Sequence, residues 1–288
     1  MPVAEDQKPE ERVVEDVTNQ LGSVALARAE DLTVSRLPDD PDDSSLFGDP
    51  PPRDECPVCL VTLPLEDPMT IYMSCCDNTV CKSCIFHHER VNLAAKTTPT
   101  CPFCRAKKPN KKEGTRRREA AAKKGTATAV YLIATEYRLG KNGKPVNERR
   151  AFELYRRAAD LGHAQSCGIV GNAYVRGLLG ASIDEEEGFK YLHLAAKKGH
   201  VATRHNLGNF EHANGRKDLA VRHWRISAAS GFKPSSDMLI KCFQEGTISK
   251  SDLEESLRAK HAACEDMWSE EREMFDEVWK PLLDASKN

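Results

Sequence analysis

The sequence predicts a mainly α-helical fold: a solenoid of helix pairs behind a small cysteine-rich module. Three observations predict it. A 37-residue period runs through the second half, at Gly125/Gly162/Gly199, Ala121/Ala158/Ala195, Ala122/Ala159/Ala196, Tyr137/Tyr174 and His163/His200. Eight of the 11 cysteines lie between residues 56 and 104. The first 53 residues are acidic, with Phe47 as their one aromatic, and close on "RLPDDPDDSSLFGDPPPRDE". The expected organisation is a tail (1–53), a metal-stabilised module (54–106), a basic linker with a partial repeat helix (107–125), repeats (126–266) and a helical cap with a tail (267–288).

The tail comes first. A Pro/Asp/Ser tract buries too little apolar surface to offset chain entropy, so disorder is expected there. A weak amphipathic stretch around Val13–Leu26 is the exception. The acidic opening lacks the apolar stretch of a secretory leader, so a reducing compartment, cytoplasmic or nuclear, is expected. No apolar run is long enough to span a bilayer. In a reducing compartment clustered cysteines read first as metal ligands, not disulfides.

The module has the order Cys-x2-Cys (Cys56, Cys59), fifteen residues, Cys75-Cys76, four residues, Cys-x2-Cys (Cys81, Cys84), sixteen residues, Cys-x2-Cys (Cys101, Cys104). Two thiolates at x2 spacing fit one turn and one tetrahedral zinc. Four pairs supply eight ligands, enough for two zinc ions. The adjacent pair is the difficult one. Side chains of neighbouring residues in a strand point to opposite faces, so the backbone must kink at Cys75-Cys76. Alternatively His87 or His88 replaces one of them. Cys167, Cys242 and Cys264 stand alone and read as small buried apolar residues.

The linker carries a dense basic run from Lys107 to Lys124. It fits a nuclear localisation signal, a nucleic-acid patch, or the solvated face of a partial repeat helix, "RRREAAAKKG". It has no interleaved aromatics for base stacking, and no nucleic-acid partner is expected.

Each repeat contains two helical patterns. Ala127, Val130, Tyr131, Ala134 and Tyr137 follow the spacing of one helix face. Ala151, Leu154, Tyr155, Ala158 and Ala159 form a second stripe within "ERRAFELYRRAADLG", and Gly162 stands where a helix C-cap needs positive φ. A third unit is shortened by five residues and a fourth, from Lys233 to about Met267, is degenerate and polar. A period of this length denotes stacked units; a single four-helix bundle is the competing arrangement.

The segments "AQSCGIVGNAYVRG", "HVATRHNLGNFEHANG" and "GFKYLHLAAKKGH" resemble Sel1-like repeats, over about residues 115–265. Glu211 departs from the family's usual Tyr. The resemblance implies a right-handed α-solenoid that contacts other proteins and has no chemistry of its own. The cysteine order resembles an all-cysteine RING finger. That implies an interleaved ligand set: Cys56, Cys59, Cys81 and Cys84 on one zinc, and Cys75, Cys76, Cys101 and Cys104 on the other. Asn78 stands where the usual RING has a histidine ligand. The same resemblance implies that Val58, Pro102 and Phe103 contact a ubiquitin-conjugating enzyme and that Arg105 is the linchpin arginine. His88 stands where the family often has Trp in that contact. A RING followed by Sel1-like repeats resembles a protist-type architecture. The expected function is thus a RING-type ubiquitin ligase or ligase-like adaptor without a covalent nucleophile, whose solenoid holds a protein substrate. The alternative is a non-enzymatic, zinc-stabilised scaffold.

Overall fold

The 37-residue period becomes a stack of helix pairs because each helix buries one narrow stripe of small and apolar side chains. The computed structural model describes residues 46–65, 69–279 and 281. The stretch Val13–Leu26 lies outside them. Strands β1 (Thr70–Met73) and β2 (Asn78–Cys81) form an antiparallel hairpin, and helix α1 (Lys82–Ala94) follows it directly. Helix α2 (Lys111–Lys123) leads into α3 (Ala127–Leu139), α4 (Glu148–Asp160), α5 (Ala164–Arg176), α6 (Glu185–Lys197), α7 (Val201–Ala213), α8 (Lys217–Ala229), α9 (Lys233–Gln244) and α10 (Lys250–Asp266). A short α11 (Glu270–Met274) runs into a wider turn at Phe275–Trp279. No helix among the described residues is long and apolar enough to cross a membrane.

The stripe read for α4 is buried whole: Ala151, Leu154, Tyr155, Ala158 and Ala159. Of the stripe read for α3, Val130 and Ala134 are buried and Ala127, Tyr131 and Tyr137 half-buried, while Ile133, outside that stripe, is buried beside them. Small residues set the spacing within a pair. A Cβ on Gly171 would lie 2.8 Å from the carbonyl oxygen of Gly188 on α6, so only glycine allows α5 and α6 to approach this closely. Cys167 and Cys242 are buried as expected, whereas Cys264 on α10 is exposed.

Local chemistry starts and stops the helices at repeat positions. Asn147 and Asp184, 37 residues apart, accept hydrogen bonds from the backbone N–H groups of Arg150 and Glu187. Gly140 and Gly177 close α3 and α5 in left-handed conformations, φ 66° and 65°, where glycine avoids the Cβ clash. The third repeat joins its helices through Asn214–Arg216, without these turns, and Arg216 supplies no side-chain cap. Glu211, at the usual Tyr position, is buried and pairs with Arg216 instead. The basic helix α2 packs on α3 as the first layer. Arg118 reaches buried Glu136 on α3 at 2.7 Å, and Glu113 holds Arg116 and Arg117.

Two described segments pack where the sequence reading did not place them. Residues 46–53, placed in the disordered tail, pack on the solenoid: Leu46 is buried, and Arg53 donates to the carbonyl oxygens of Ser230 and Leu63. Residues 270–275 follow the last repeat, with Arg272 bonded to the Met267 carbonyl. They turn back onto the cysteine module, where Phe275 meets Phe86 of α1 edge-on at 5.5 Å.

Two histidines cap helices at equivalent positions. Nδ1 of His163 accepts from the N–H of Ser166 at 3.2 Å, and Nδ1 of His200 from the N–H of Thr203 at 3.3 Å. Only neutral imidazole can accept there, and burial holds both pKa values down at about 4. Both values are below that of an unfolded histidine, so between them the unfolded chain binds more protons. The stabilisation is complete above about pH 6.5 and is lost as pH falls towards 4. At pH 5 each histidine should cost on the order of 1–2 kcal/mol. Asparagine caps well without titrating. Thermal melts at pH 7 and pH 5 should therefore show a smaller acid-induced drop for His163→Asn/His200→Asn than for the native chain; equal drops would exclude these caps as its source.

Candidate metal centre

Two loops of the cysteine module are near-copies. In "CPVC" the N–H of Cys56 donates to the Val61 carbonyl at 2.9 Å, and the N–H of Leu60 to the Cys56 carbonyl at 2.8 Å. In "CPFC" Cys101 donates to Ala106 at 2.8 Å and Arg105 to Cys101 at 3.0 Å. A single bridge closes the base of each loop, Glu55 to Thr62 and Thr100 to Lys107. Pro57 and Pro102 preset the turn. Leu60 and Arg105, each following a second cysteine, sit in the left-handed region at φ 60° and 62°. A non-glycine residue there is uncommon, and here it aims both thiols of a pair to one side.

The adjacent cysteines occupy a third turn, between β1 and β2. The N–H groups of Cys76 and Asp77 both donate to the Met73 carbonyl, at 3.2 and 3.0 Å, and Asp77 has φ 60°. This is the kink that Cys75 and Cys76 require; it brings their sulfurs to 4.0 Å. Asn78 donates its amide to the Cys76 carbonyl at 3.0 Å and so serves the turn.

The hairpin and α1 then interleave the pairs. Cys56, Cys59, Cys81 and Cys84 form one group and Cys75, Cys76, Cys101 and Cys104 the other, with all sulfurs of a group within 4.8 Å of one another. Sulfur–sulfur distances include 3.8 Å for Cys59–Cys81, 3.9 Å for Cys76–Cys101 and 3.5 Å for Cys75–Cys104. Tetrahedral zinc with Zn–S bonds of about 2.3 Å needs sulfurs about 3.8 Å apart. The donor sets fit that ion. Burial pushes the thiols of Cys59, Cys75 and Cys76 up. Hydrogen bonds from neighbouring thiols push Cys56 down, and the Ala106 N–H does the same for Cys104. Four packed thiolates repel, so full ionisation of each group requires a cation between them.

His87 and His88 join neither group. His87 is exposed, and Nε2 of His88 is 3.0 Å from the Thr100 hydroxyl. Val58 and Phe103 are exposed on the two loops, beside strongly exposed Leu60. Pro102 is buried, and the Arg105 side chain is exposed.

The sequence reading missed what surrounds the first group. Arg272 of α11 is buried and donates to the carbonyls of Thr62 at 2.5 Å, Met267 at 2.7 Å and Val61 at 3.2 Å. The amino group that serves Val61 also approaches the sulfur of Cys59 at 3.6 Å. Arg53 joins the same loop to the end of α8. At the opposite end of the stack, the Thr126 hydroxyl donates to Asp77 at 2.8 Å, tying the Cys75-Cys76 turn to the start of α3. Arg272 lies 213 residues from Cys59, and no spacing signal links the two.

A family model, Sel1 repeat, matches residues 127–163 and 164–200. Those two segments match Sel1 repeats. They correspond to α3 with α4 and α5 with α6, each with the His cap that follows. Among solved structures, the chain is similar to a Sel1 repeat protein from Oxalobacter formigenes (22% identity, TM-score 0.45, covering 56% of this chain and 66% of that one). It is also similar to c5321, a protective antigen of uropathogenic Escherichia coli strains displaying an SLR fold (18% identity, TM-score 0.41, covering 68% and 48%). The chain thus spans just under two thirds of the first protein's length and about half of the second's. No curated protein matches it.

Arg272 donates three carbonyl hydrogen bonds from one planar group, which lysine cannot reproduce. Arg272→Ala leaves those acceptors unpaired and should destabilise the module by about 1–3 kcal/mol. With a chromogenic chelator, metal loss from the Cys56 group should be faster in Arg272→Ala and Arg272→Lys alike, with release from the second group unchanged. Native release kinetics in both variants would show that Arg272 does not brace this site.

Proposed function

We propose that the two thiol groups hold two structural zinc ions in a RING-type cross-brace, that this module recruits a ubiquitin-conjugating enzyme, and that the Sel1 repeats hold the protein to be modified. The observation that carries the reading is the interleaving of the four cysteine pairs across a hairpin and a helix. Zinc supplies the positive charge that lets all eight thiols ionise and fixes three loops that have little core of their own. Val58 and Phe103, each on a separate loop, offer the apolar contact for the conjugating enzyme. Pro102 acts from beneath by fixing the second loop, and His88, bonded to Thr100, steadies the Thr100–Lys107 bridge at that loop's base. The Arg105 side chain, free of the loop's own hydrogen bonds, acts on the charged complex. A planar guanidinium can bond two partners at once. Its part is positioning, which restricts the thioester to reactive geometries.

A scaffold role is the second reading. Arg53 and Arg272 clamp the first loop to the solenoid, as expected of a module whose task is to brace the stack.

Metal analysis should return two zinc ions per chain, and Cys76→Ser should lose one. In single-turnover discharge of a preloaded conjugating enzyme onto free lysine, the full chain should accelerate transfer. Val58→Ala should weaken docking by about 1 kcal/mol or more. Arg105→Ala should preserve docking and zinc content yet slow discharge, because its bonds matter in the reactive geometry. Discharge no faster than without protein, across a broad panel of conjugating enzymes, would leave the scaffold reading standing.

A further inference from the structure

Residues 46–53 lie on the solenoid as a separate short segment, held by a few anchors. Leu46 is 4% exposed, packed with Val175 of α5, Phe189 and Leu192 of α6 and Leu207 of α7. Its carbonyl accepts from Arg204 of α7 at 2.7 Å, while the other amino group of Arg204 donates to the Ala196 carbonyl at 2.7 Å. The Phe47 ring lies 3.7 Å from the guanidinium of Arg222, a cation–π contact, and 4.7 Å from the ring of His223, both on α8. Further along, Pro51 covers the end of α6: a Cβ on Gly199 would lie 3.3 Å from its ring. Two side chains in adjoining pockets and one carbonyl on a buried arginine are the anchors by which grooves hold linear peptides.

Two observations favour an exchangeable occupant. Nδ1 of His223, buried beside Phe47, has no hydrogen-bond partner, so the native segment leaves one polar position of the groove unsatisfied. The sequence before Leu46, "DDPDDSS", is acidic, and Arg204 and Arg222 line the groove at Leu46 and Phe47, so the charges are complementary.

We propose that the groove formed by α6, α7 and α8 is a docking site for a linear peptide carrying a Leu-Phe pair behind acidic residues, and that residues 46–53 fill it in cis until a partner protein bearing such a segment displaces them. The proposal deepens the reading of the Sel1 repeats as the recognition arm and does not depend on ubiquitin transfer. A segment tethered next to its own groove has a high effective concentration, so an outside peptide competes only with superior contacts. A polar group that reaches His223 would supply one.

The test uses a fluorescein-labelled synthetic peptide of residues 39–53 and the full chain, read by anisotropy. The native chain should bind it weakly, and Leu46→Ser/Phe47→Ser, which vacates the groove, about ten-fold or more tightly. Adding Arg222→Glu to the vacated chain should reverse the gain. A vacated chain that binds no better than the native one overturns the proposal. Because vacating the groove uncovers Leu207 and its neighbours, a second measurement uses the native chain alone. Saturating peptide should speed hydrogen exchange at residues 46–53 and leave α6–α8 protected; unchanged exchange at saturation overturns the proposal as well. If the native chain instead dimerises, and mixes with the vacated chain into a heterodimer, the groove belongs to a second copy and the outside partner is excluded. Peptide binding without ubiquitin discharge defeats the ligase reading alone; discharge without peptide binding defeats this one alone.

Discussion

Eight thiols must converge on two points within a module that has almost no apolar core. The core cluster of that module is Cys56, Val80, Cys81 and Cys84, with Cys59, Leu63, Met73 and Ile85 partly covered around them. Cysteine is the greater part of this interior. Three turns hold a left-handed residue other than glycine, at Leu60, Asp77 and Arg105. Each costs conformational energy of order 1–3 kcal/mol, and hydrophobic burial here is too small to offset them. Metal–thiolate bonds of about 10–16 kcal/mol per structural zinc are large enough. Two bound metal ions would therefore suffice to fold the module, and its contacts with the rest of the chain depend on that folding.

Those contacts reach both ends of the helical stack. Asp77 meets Thr126 at the first repeat, while Arg53 and Arg272 hold the Cys59–Leu63 loop to the end of α8 and to α11. A solenoid is otherwise quasi-one-dimensional, with each unit touching its neighbours only. Here contacts between residues over 200 positions apart join its two ends through the module. Opening the stack therefore costs buried arginine hydrogen bonds in addition to the interface between two repeats.

The repeats were legible in the sequence because their determinants are local and periodic. Alanine seams, Gly162 and Gly199 past helix ends, and the His163/His200 pair all recur at one interval, and the buried face of α4 matches its sequence stripe residue for residue. The cysteine spacing indicated a metal site for a similar reason, since x2 pairs report a local turn. The partners of the clamp carried no such signal. Arg53 looks like one charge in an acidic tract and Arg272 like one charge in "SEEREMF"; each acquires its role only from a carbonyl far away in sequence. Composition also misassigned Leu46 and Phe47. A Pro/Asp/Ser tract predicts disorder on average, yet two apolar side chains suffice when a preformed groove receives them.

The position of the 46–53 segment links the two halves of the molecule. Its anchors, Leu46 and Phe47, lie in the groove of α6–α8, and its last residue, Arg53, donates to Leu63 within the first thiol loop and to Ser230 at the end of α8. Two residues separate Arg53 from the first cysteine of the module, Cys56. Release of the segment removes an anchor from that loop, and loss of the loop's geometry removes the acceptor that holds Arg53. By linkage the two effects are equal in free energy and reciprocal. A ligand that displaces the segment must loosen the first thiol loop by the same factor by which disordering of that loop eases its own binding. Recognition on the solenoid and integrity of the thiol module are thus coupled through one short piece of chain, without any rearrangement of the repeats themselves.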